Sequence, residues 1–252
     1  MSHIKPVALI TGANQGIGLQ IAMELSKHDF TVLVGSRNLE RGEAAAREVG
    51  AAAHAIQIDV TDQDSIKAAA ARVRQDFGRL DVLVQNAAIM TTQTHPGSVV
   101  EYAKATRASV VPLDEMRAVW ETNVFGVLAV YQAFVPLLRD TPGARIVNVS
   151  SGSGSLTVAS DASLPYRAQF SPLYAASKTA LNALTVAMAI ELEPEGIKVN
   201  AVTPGFTKTA MNAFEGTETL EEGAAEAVRV ALLGSEGPTG GFTHRTFGTV
   251  PW

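Results

Sequence analysis

Tyr174 and Lys178 stand four positions apart in the run Tyr174-Ala175-Ala176-Ser177-Lys178. On a helix that spacing projects a phenol and an ammonium from one face, one turn apart. A phenol titrates near 10, too high to act as a base at neutral pH. An ammonium ~4 Å away, at an effective dielectric near 20, contributes about 4 kcal/mol, or roughly three pKa units before desolvation opposes it. The pair is expected to bring the tyrosine toward working pH, where proton exchange is efficient. A Tyr-x-x-x-Lys arises often by chance, so its weight depends on what else the chain carries.

Near the start, Thr11-Gly12-Ala13-Asn14-Gln15-Gly16-Ile17-Gly18 follows the apolar run Val7-Ala8-Leu9-Ile10. A tight turn from strand into helix leaves backbone N–H groups and the helix dipole facing outward, where they attract a pyrophosphate. Gly12 permits the turn, Gly16 lets backbone approach phosphate, and Gly18 lets the helix pack on the sheet. Asn14, Gln15 and Ile17 complete the expected contact surface. A merely structural turn is the competing reading of three glycines. With a proton-exchanging tyrosine downstream, the loop reads as half of a hydride-transfer site.

The second strand is expected to end at Gly35-Ser36-Arg37-Asn38. NAD sites commonly hold an acidic residue there for the ribose 2′-OH. Here Arg37 suits a 2′-phosphate, through charge-assisted bonds, and no carboxylate stands at Ser36 to repel it. NADP(H) is the expected cofactor, against the alternative of a solvated surface arginine. Asp59-Val60 suits the adenine amino group, or a loop cap. Asn86 and Ala87, in Asn86-Ala87-Ala88, suit the adenosine ribose, or a turn.

These residues need a scaffold. Apolar runs rich in Val, Leu and Ile at 7–11, 31–35, 55–59, 80–85, 145–150 and 198–203 read as strands buried on both faces. Helical patterns fill 18–27, 39–49, 62–77, 113–138, 173–193 and 220–233, with Asp62 as a cap and Gly50, Gly78 and Gly196 as stops. The alternation predicts a single α/β domain of about seven strands over 1–252, a doubly wound parallel sheet with helices on both faces. Two segments rich in Ser, Thr, Ala, Gly and Pro, 90–111 and 152–172, follow strands and are expected to overhang the site as lids, with 206–219 as a third substrate segment.

Composition narrows the field. The 252 residues are 46% hydrophobic and 18% charged, ordinary for a soluble globular chain. A formal charge of −5 and no basic cluster argue against a nucleic-acid partner. With no cysteine there is no disulfide, thiolate nucleophile or thiolate metal site, and His3, His28, His54, His95 and His244 lack ligand spacing, so no metal is expected. The longest charge-free apolar stretch, 122–138, carries Asn123, Gly126, Gln132 and Pro136, which suits a buried helix better than a bilayer span. The amino terminus lacks a signal-peptide pattern, so the expectation is a soluble cytoplasmic protein without a membrane partner.

Taken in order, the glycine loop, Asp59-Val60, Asn86-Ala87-Ala88, Asn123, 146–151, Tyr174–Lys178 and Pro204-Gly205 resemble the short-chain dehydrogenase/reductase family over nearly the whole chain. The resemblance implies a Rossmann fold with one extra parallel strand near the carboxyl terminus. It also implies a tetrad in which Tyr174 is the general acid/base and Lys178 lowers its pKa while bonding the nicotinamide ribose. Ser151, rather than its neighbour Ser150, would bond the substrate carbonyl, and Asn123 would hold a water linked to Lys178. Pro204, Gly205, Thr207 and Thr209 would meet the nicotinamide carboxamide and the phosphates.

Ala88 replaces the family's usual glycine, and Gln85 a frequent asparagine. Ser151 and Tyr174 are 23 positions apart, longer than in most members. With Arg37 and the long 90–111 segment, this resembles the NADPH-dependent carbonyl reductase branch, including plant ketone reductases. The same insertion leaves monomer and homo-oligomer both open. Met90, Leu156, Phe206 and Phe214 are the candidate substrate contacts, with Ile89 and Phe170 beside them. They carry no fixed charge, so uncharged ketones or aldehydes are the expected substrates. The rival readings are a dehydrogenase oxidising a steroid or other secondary alcohol, and a non-catalytic NADP(H)-sensing protein.

Overall fold

The computed structural model describes residues 5–93, 98–164, 167–168 and 170–252. Residues 94–97, 165, 166 and 169, which belong to the two long segments, and His3 and His95 lie outside the described residues.

Among the described residues eight strands form one sheet: β1 (Val7–Ile10), β2 (Thr31–Ser36), β3 (Ala53–Gln57), β4 (Val82–Gln85), β5 (Arg145–Val149), β6 (Lys198–Val202), β7 (Phe242–His244) and β8 (Gly248–Thr249). Their order is β3-β2-β1-β4-β5-β6-β7-β8, parallel except for the antiparallel β7–β8 pair. The parallel extra strand anticipated near the carboxyl terminus is β7. The short β8 raises the count above the expected seven, and its two exposed residues carry no apolar signature to read.

Both faces are covered, and the strands show it residue by residue. Leu9, Leu33, Leu83 and Ile146 point into one core with α3 (Gln63–Phe77), α6 (Gly126–Arg139) and α8 (Tyr174–Leu192). Their neighbours Ala8, Ile10, Val32, Val34, Val82, Val84 and Val147 point into the other, with α1 (Gly16–Lys27), α2 (Leu39–Val49) and α9 (Leu220–Ala231). A period of two with both faces apolar is why these strands read as continuous hydrophobic runs.

Local chemistry fixes the helix ends. The Asp62 carboxylate accepts from the amides of Asp64 and Ser65. Gly78 ends α3 in the left-handed region at φ 68°, with its amide bonded to Arg74 and Val73 carbonyls.

Most boundaries shift from expectation by one or two residues, and three of the differences have a clear local cause. β3 starts and ends two residues early, because Asp59 is taken up in the turn that leads to Asp62. Strand β4 begins at Val82, since Leu80 and Asp81 spend polar groups on Thr141 and Val7 across the sheet's end. The long helix expected at 113–138 is interrupted: α5 (Leu113–Trp120) and α6 flank a π-helical turn at Glu121–Phe125. Such turns concentrate at functional sites, and this one carries Asn123.

By length and hydropathy Leu113–Arg139 could cross a membrane, but 61% of its most apolar window is buried inside the fold. It is a core helix. The 90–111 segment contains the helix α4 (Val99–Ala105), and 152–172 contains a 3-10 turn at Gly152–Gly154 and the short helix α7 (Leu156–Ser160).

Candidate active site

Strand order reverses between β1 and β4, so the crevice lies beyond the carboxyl ends of those strands. The glycine loop opens it. Gly12 and Gly16 sit at φ 64° and 59°, and a Cβ on Gly16 would face open space. No side chain caps the amino end of α1, so its first N–H groups remain available to an anion. The loop is held from beneath by Asn86, whose amide donates to the carbonyls of Thr11 and Gly12 at 2.9 and 3.2 Å. Thr11 Oγ1 returns the contact by accepting from the amides of Asn86 and Ala87. The side chain of Asn86 thus serves the loop itself.

A Cβ on Gly18 would lie 2.4 Å from Asn86 Nδ2 and 2.7 Å from the Gly12 carbonyl. Gly18→Val should therefore displace the loop and weaken dinucleotide binding by about tenfold to a hundredfold, read by fluorescence titration. Binding within twofold of wild type would contradict this role for the loop.

Farther along the crevice, Asp59 accepts both from Thr61 N and from its hydroxyl through Oδ1, the behaviour of a loop cap. Val60 approaches α6 so closely that a Cβ on Gly126 would stand 2.6 Å from its carbonyl. Arg37 is exposed and has no hydrogen-bond or ion-pair partner among the described residues. Ser36 beside it donates to Asn38 O at 2.8 Å, and Asn38 caps α2.

The reactive groups converge on a cavity of about 170 Å³ between the first turn of α8, the 3-10 turn and the loop after β6. Tyr174 and Ser151 line it together with Ile17, Pro204, Gly205, Thr207 and Thr209. Ser150 faces inward, donating to Asn182 Oδ1 at 2.6 Å, whereas Ser151 hydrogen-bonds the Tyr174 phenol and favours its ionised form. Lys178 is 2% exposed, and its Nζ donates to Val149 O at 2.9 Å, 5.7 Å from the centre of the Tyr174 ring.

That geometry corrects one expectation. Burial pushes the Tyr174 phenol up to about 12, with the Ser151 bond pulling against it, and burial brings Lys178 down to about 7. The ammonium stands 5.7 Å from the centre of the phenol ring. It is spent on a carbonyl, and desolvation of both groups outweighs their attraction. In the protein alone the tyrosine is not acidified.

Asn123 braces the site from the π-turn. Its amide donates to Ile89 O at 2.8 Å and to Ser177 Oγ at 3.0 Å, and its Oδ1 accepts from Ile89 N at 2.9 Å. Both N–H donors are thereby engaged, which leaves the side chain as a tie between α8 and the segment after β4. Gln85 similarly donates to Asn148 Oδ1, and Asn148 donates to Thr185, a buried chain behind the site.

Met90 and Phe206 line the cavity. Leu156 and Phe214 do not; they are 52% and 63% exposed. Leu156 sits on the outer face of α7, and Phe214 follows Ala213 at positive φ, where the chain turns it away. Sequence reading missed Tyr102, Ser153 and Ser171, which also line the cavity. Tyr102 donates to Met90 O at 2.8 Å, and burial, then the charge of Tyr174, raise its pKa. The one local signal for its helix, not read from the sequence, is the capping pair Ser98 and Glu101.

The model of the short chain dehydrogenase family matches residues 6–219. The chain is a short-chain dehydrogenase/reductase. It is similar to the short-chain dehydrogenase anuI of Penicillium roqueforti, 38% identical over 92% of this chain and 90% of that one. It is also similar to (+)-neomenthol dehydrogenase of Arabidopsis thaliana, 34% identical over 94% and 95% respectively. The solved structure of salutaridine reductase from Papaver somniferum superposes with a TM-score of 0.80 at 28% identity, over 96% of this chain and all of that one. The fold of this family holds a nicotinamide dinucleotide, and the open glycine loop and uncapped α1 suit its pyrophosphate.

Proposed function

We propose that the chain is an NADPH-dependent reductase of uncharged ketones or aldehydes. The supporting observation is a cavity that brings Tyr174 and Ser151 together and, among the described residues, is lined by no Asp, Glu, Lys or Arg side chain. Salutaridine reductase and (+)-neomenthol dehydrogenase, by their names, act on small carbonyl or alcohol compounds. When bound, the reduced nicotinamide supplies a hydride to the carbonyl carbon. Tyr174 gives its phenolic proton to the carbonyl oxygen, so that C=O becomes CH–OH and the phenolate remains. Ser151 donates to that oxygen as its charge grows. Lys178, protonated, steadies the phenolate until solvent returns the proton. Run backwards, the same groups oxidise a secondary alcohol, and the ratio of oxidised to reduced cofactor sets the net direction.

The cofactor assignment rests on Arg37, which follows β2 without a partner among the described residues and with no carboxylate at Ser36. NADPH should be used at least tenfold more efficiently than NADH. Arg37→Ala should erase most of that advantage while leaving NADH turnover unchanged. Equal kcat/KM with the two cofactors in the wild type would overturn the assignment. The activity itself is tested by NADPH consumption over neutral aryl and cyclic ketones, with a keto acid alongside. Turnover of the keto acid alone would contradict the substrate class.

A further inference from the structure

Ser151 is followed by a turn that is unusually constrained. A Cβ on Gly154 would stand 2.8 Å from the main-chain carbon of Lys178, so the turn lies directly on α8. The Gly154 carbonyl accepts from Thr179 and Asn182, and Gly152 N donates to Thr203 Oγ1 at 2.9 Å. Held in this way, Ser153 places its hydroxyl 2.9 Å from Ser151 Oγ, and its amide donates to the same oxygen at 3.2 Å. Both serines line the cavity.

We infer that Ser153 is a positioning residue that orients the Ser151 hydroxyl and strengthens it as a donor to the reacting oxygen. A serine hydroxyl has one proton and two lone pairs. Ser151 Oγ accepts from the Ser153 amide, and with the Ser153 hydroxyl assigned as the donor in the 2.9 Å contact between the two hydroxyls, both lone pairs are engaged. Its one proton then points to Tyr174 in the protein alone, or to a carbonyl oxygen when substrate is present. Donors on an oxygen polarise the O–H it offers onward. Ser153, Ser151 and Tyr174 therefore form a directed hydroxyl chain, and the direction is fixed at its Ser153 end by a turn that cannot relax without moving α8.

The inference rests on the proposed role of Ser151, and the test separates the two. Ser153→Ala should lower kcat for a neutral ketone about five- to tenfold, with KM and the NADPH dissociation constant within twofold of wild type. The rate of alcohol oxidation should need higher pH, because a weaker Ser151 donor stabilises the phenolate less. Ser153→Thr, which keeps the hydroxyl, should restore kcat and the pH profile. Ser151→Ala, assayed in parallel, should lose at least a hundredfold. An inactive Ser151→Ala beside a Ser153→Ala with wild-type kcat and pH profile would overturn the inference and leave the site intact. Failure of Ser153→Thr to rescue would overturn it as well, by showing that shape matters and not the hydroxyl. An active Ser151→Ala would remove the reading beneath it.

Discussion

Tyr174→Phe should lower kcat by about a thousandfold while leaving NADPH binding within twofold of wild type. The substitution removes one oxygen from a half-buried ring at the amino end of α8, and the ring's packing against the cluster of Tyr102, Val119 and Leu173 is retained. The phenol's hydrogen bond is to Ser151, which keeps Ser153 as a partner, so the loss leaves no stranded group. Thermal melting should therefore match the wild type. Activity within tenfold of wild type would show that another group delivers the proton. Loss of both activity and cofactor binding would show that the phenol's role is structural.

Lys178→Met should abolish turnover to a similar degree and, in the protein without cofactor, raise stability at neutral and acid pH. The lysine titrates near 7 in the fold against an ordinary value of 10.5 in the unfolded chain. Below pH 7 both states carry the proton, and the fold bears the whole cost of burying it. Between 7 and 10.5 the unfolded chain binds a proton that the fold does not, so wild-type stability climbs with pH. Above 10.5 the cost is absent. The ceiling is about 5 kcal/mol, from which loss of the bond to Val149 O subtracts part. A gain of about 2 kcal/mol at pH 6 is expected. Melting temperatures from pH 6 to 9 should rise for the wild type and stay level for Lys178→Met. Parallel curves would contradict a buried, neutralised lysine. Opposite effects on stability and activity are what a group kept for chemistry at a cost to the fold should show.

Much of this architecture was legible because its signals are local or periodic. Both-face burial writes itself as unbroken Val, Leu and Ile runs, and the glycines that stop helices stand where φ must be positive. The loop of Gly12, Gly16 and Gly18 could be placed because a turn between strand and helix requires those residues there. What escaped was set by distant contacts. The π-turn at Asn123 answers to Ile89 and Ser177, 34 and 54 positions away, and nothing in its own neighbourhood announces it. Helical spacing placed Tyr174 and Lys178 on one face, but it could not foresee that the Val149 carbonyl would claim the ammonium. Tyr102 was hidden in a segment whose Ser, Thr and Pro content reads as loop. Leu156 and Phe214 are apolar residues on segments expected to overhang the site, and hydrophobicity alone does not say which way such a residue turns.

A crystal structure of the NADP⁺ complex tests the central claim most directly. The Tyr174 hydroxyl should stand on the cavity side of the nicotinamide, within about 4 Å of the carbon that carries the hydride, with Ser151 bonded to it and Lys178 Nζ moved toward the ribose. A ring bound elsewhere along the crevice, or a Tyr174 hydroxyl directed away from that carbon, would contradict the account.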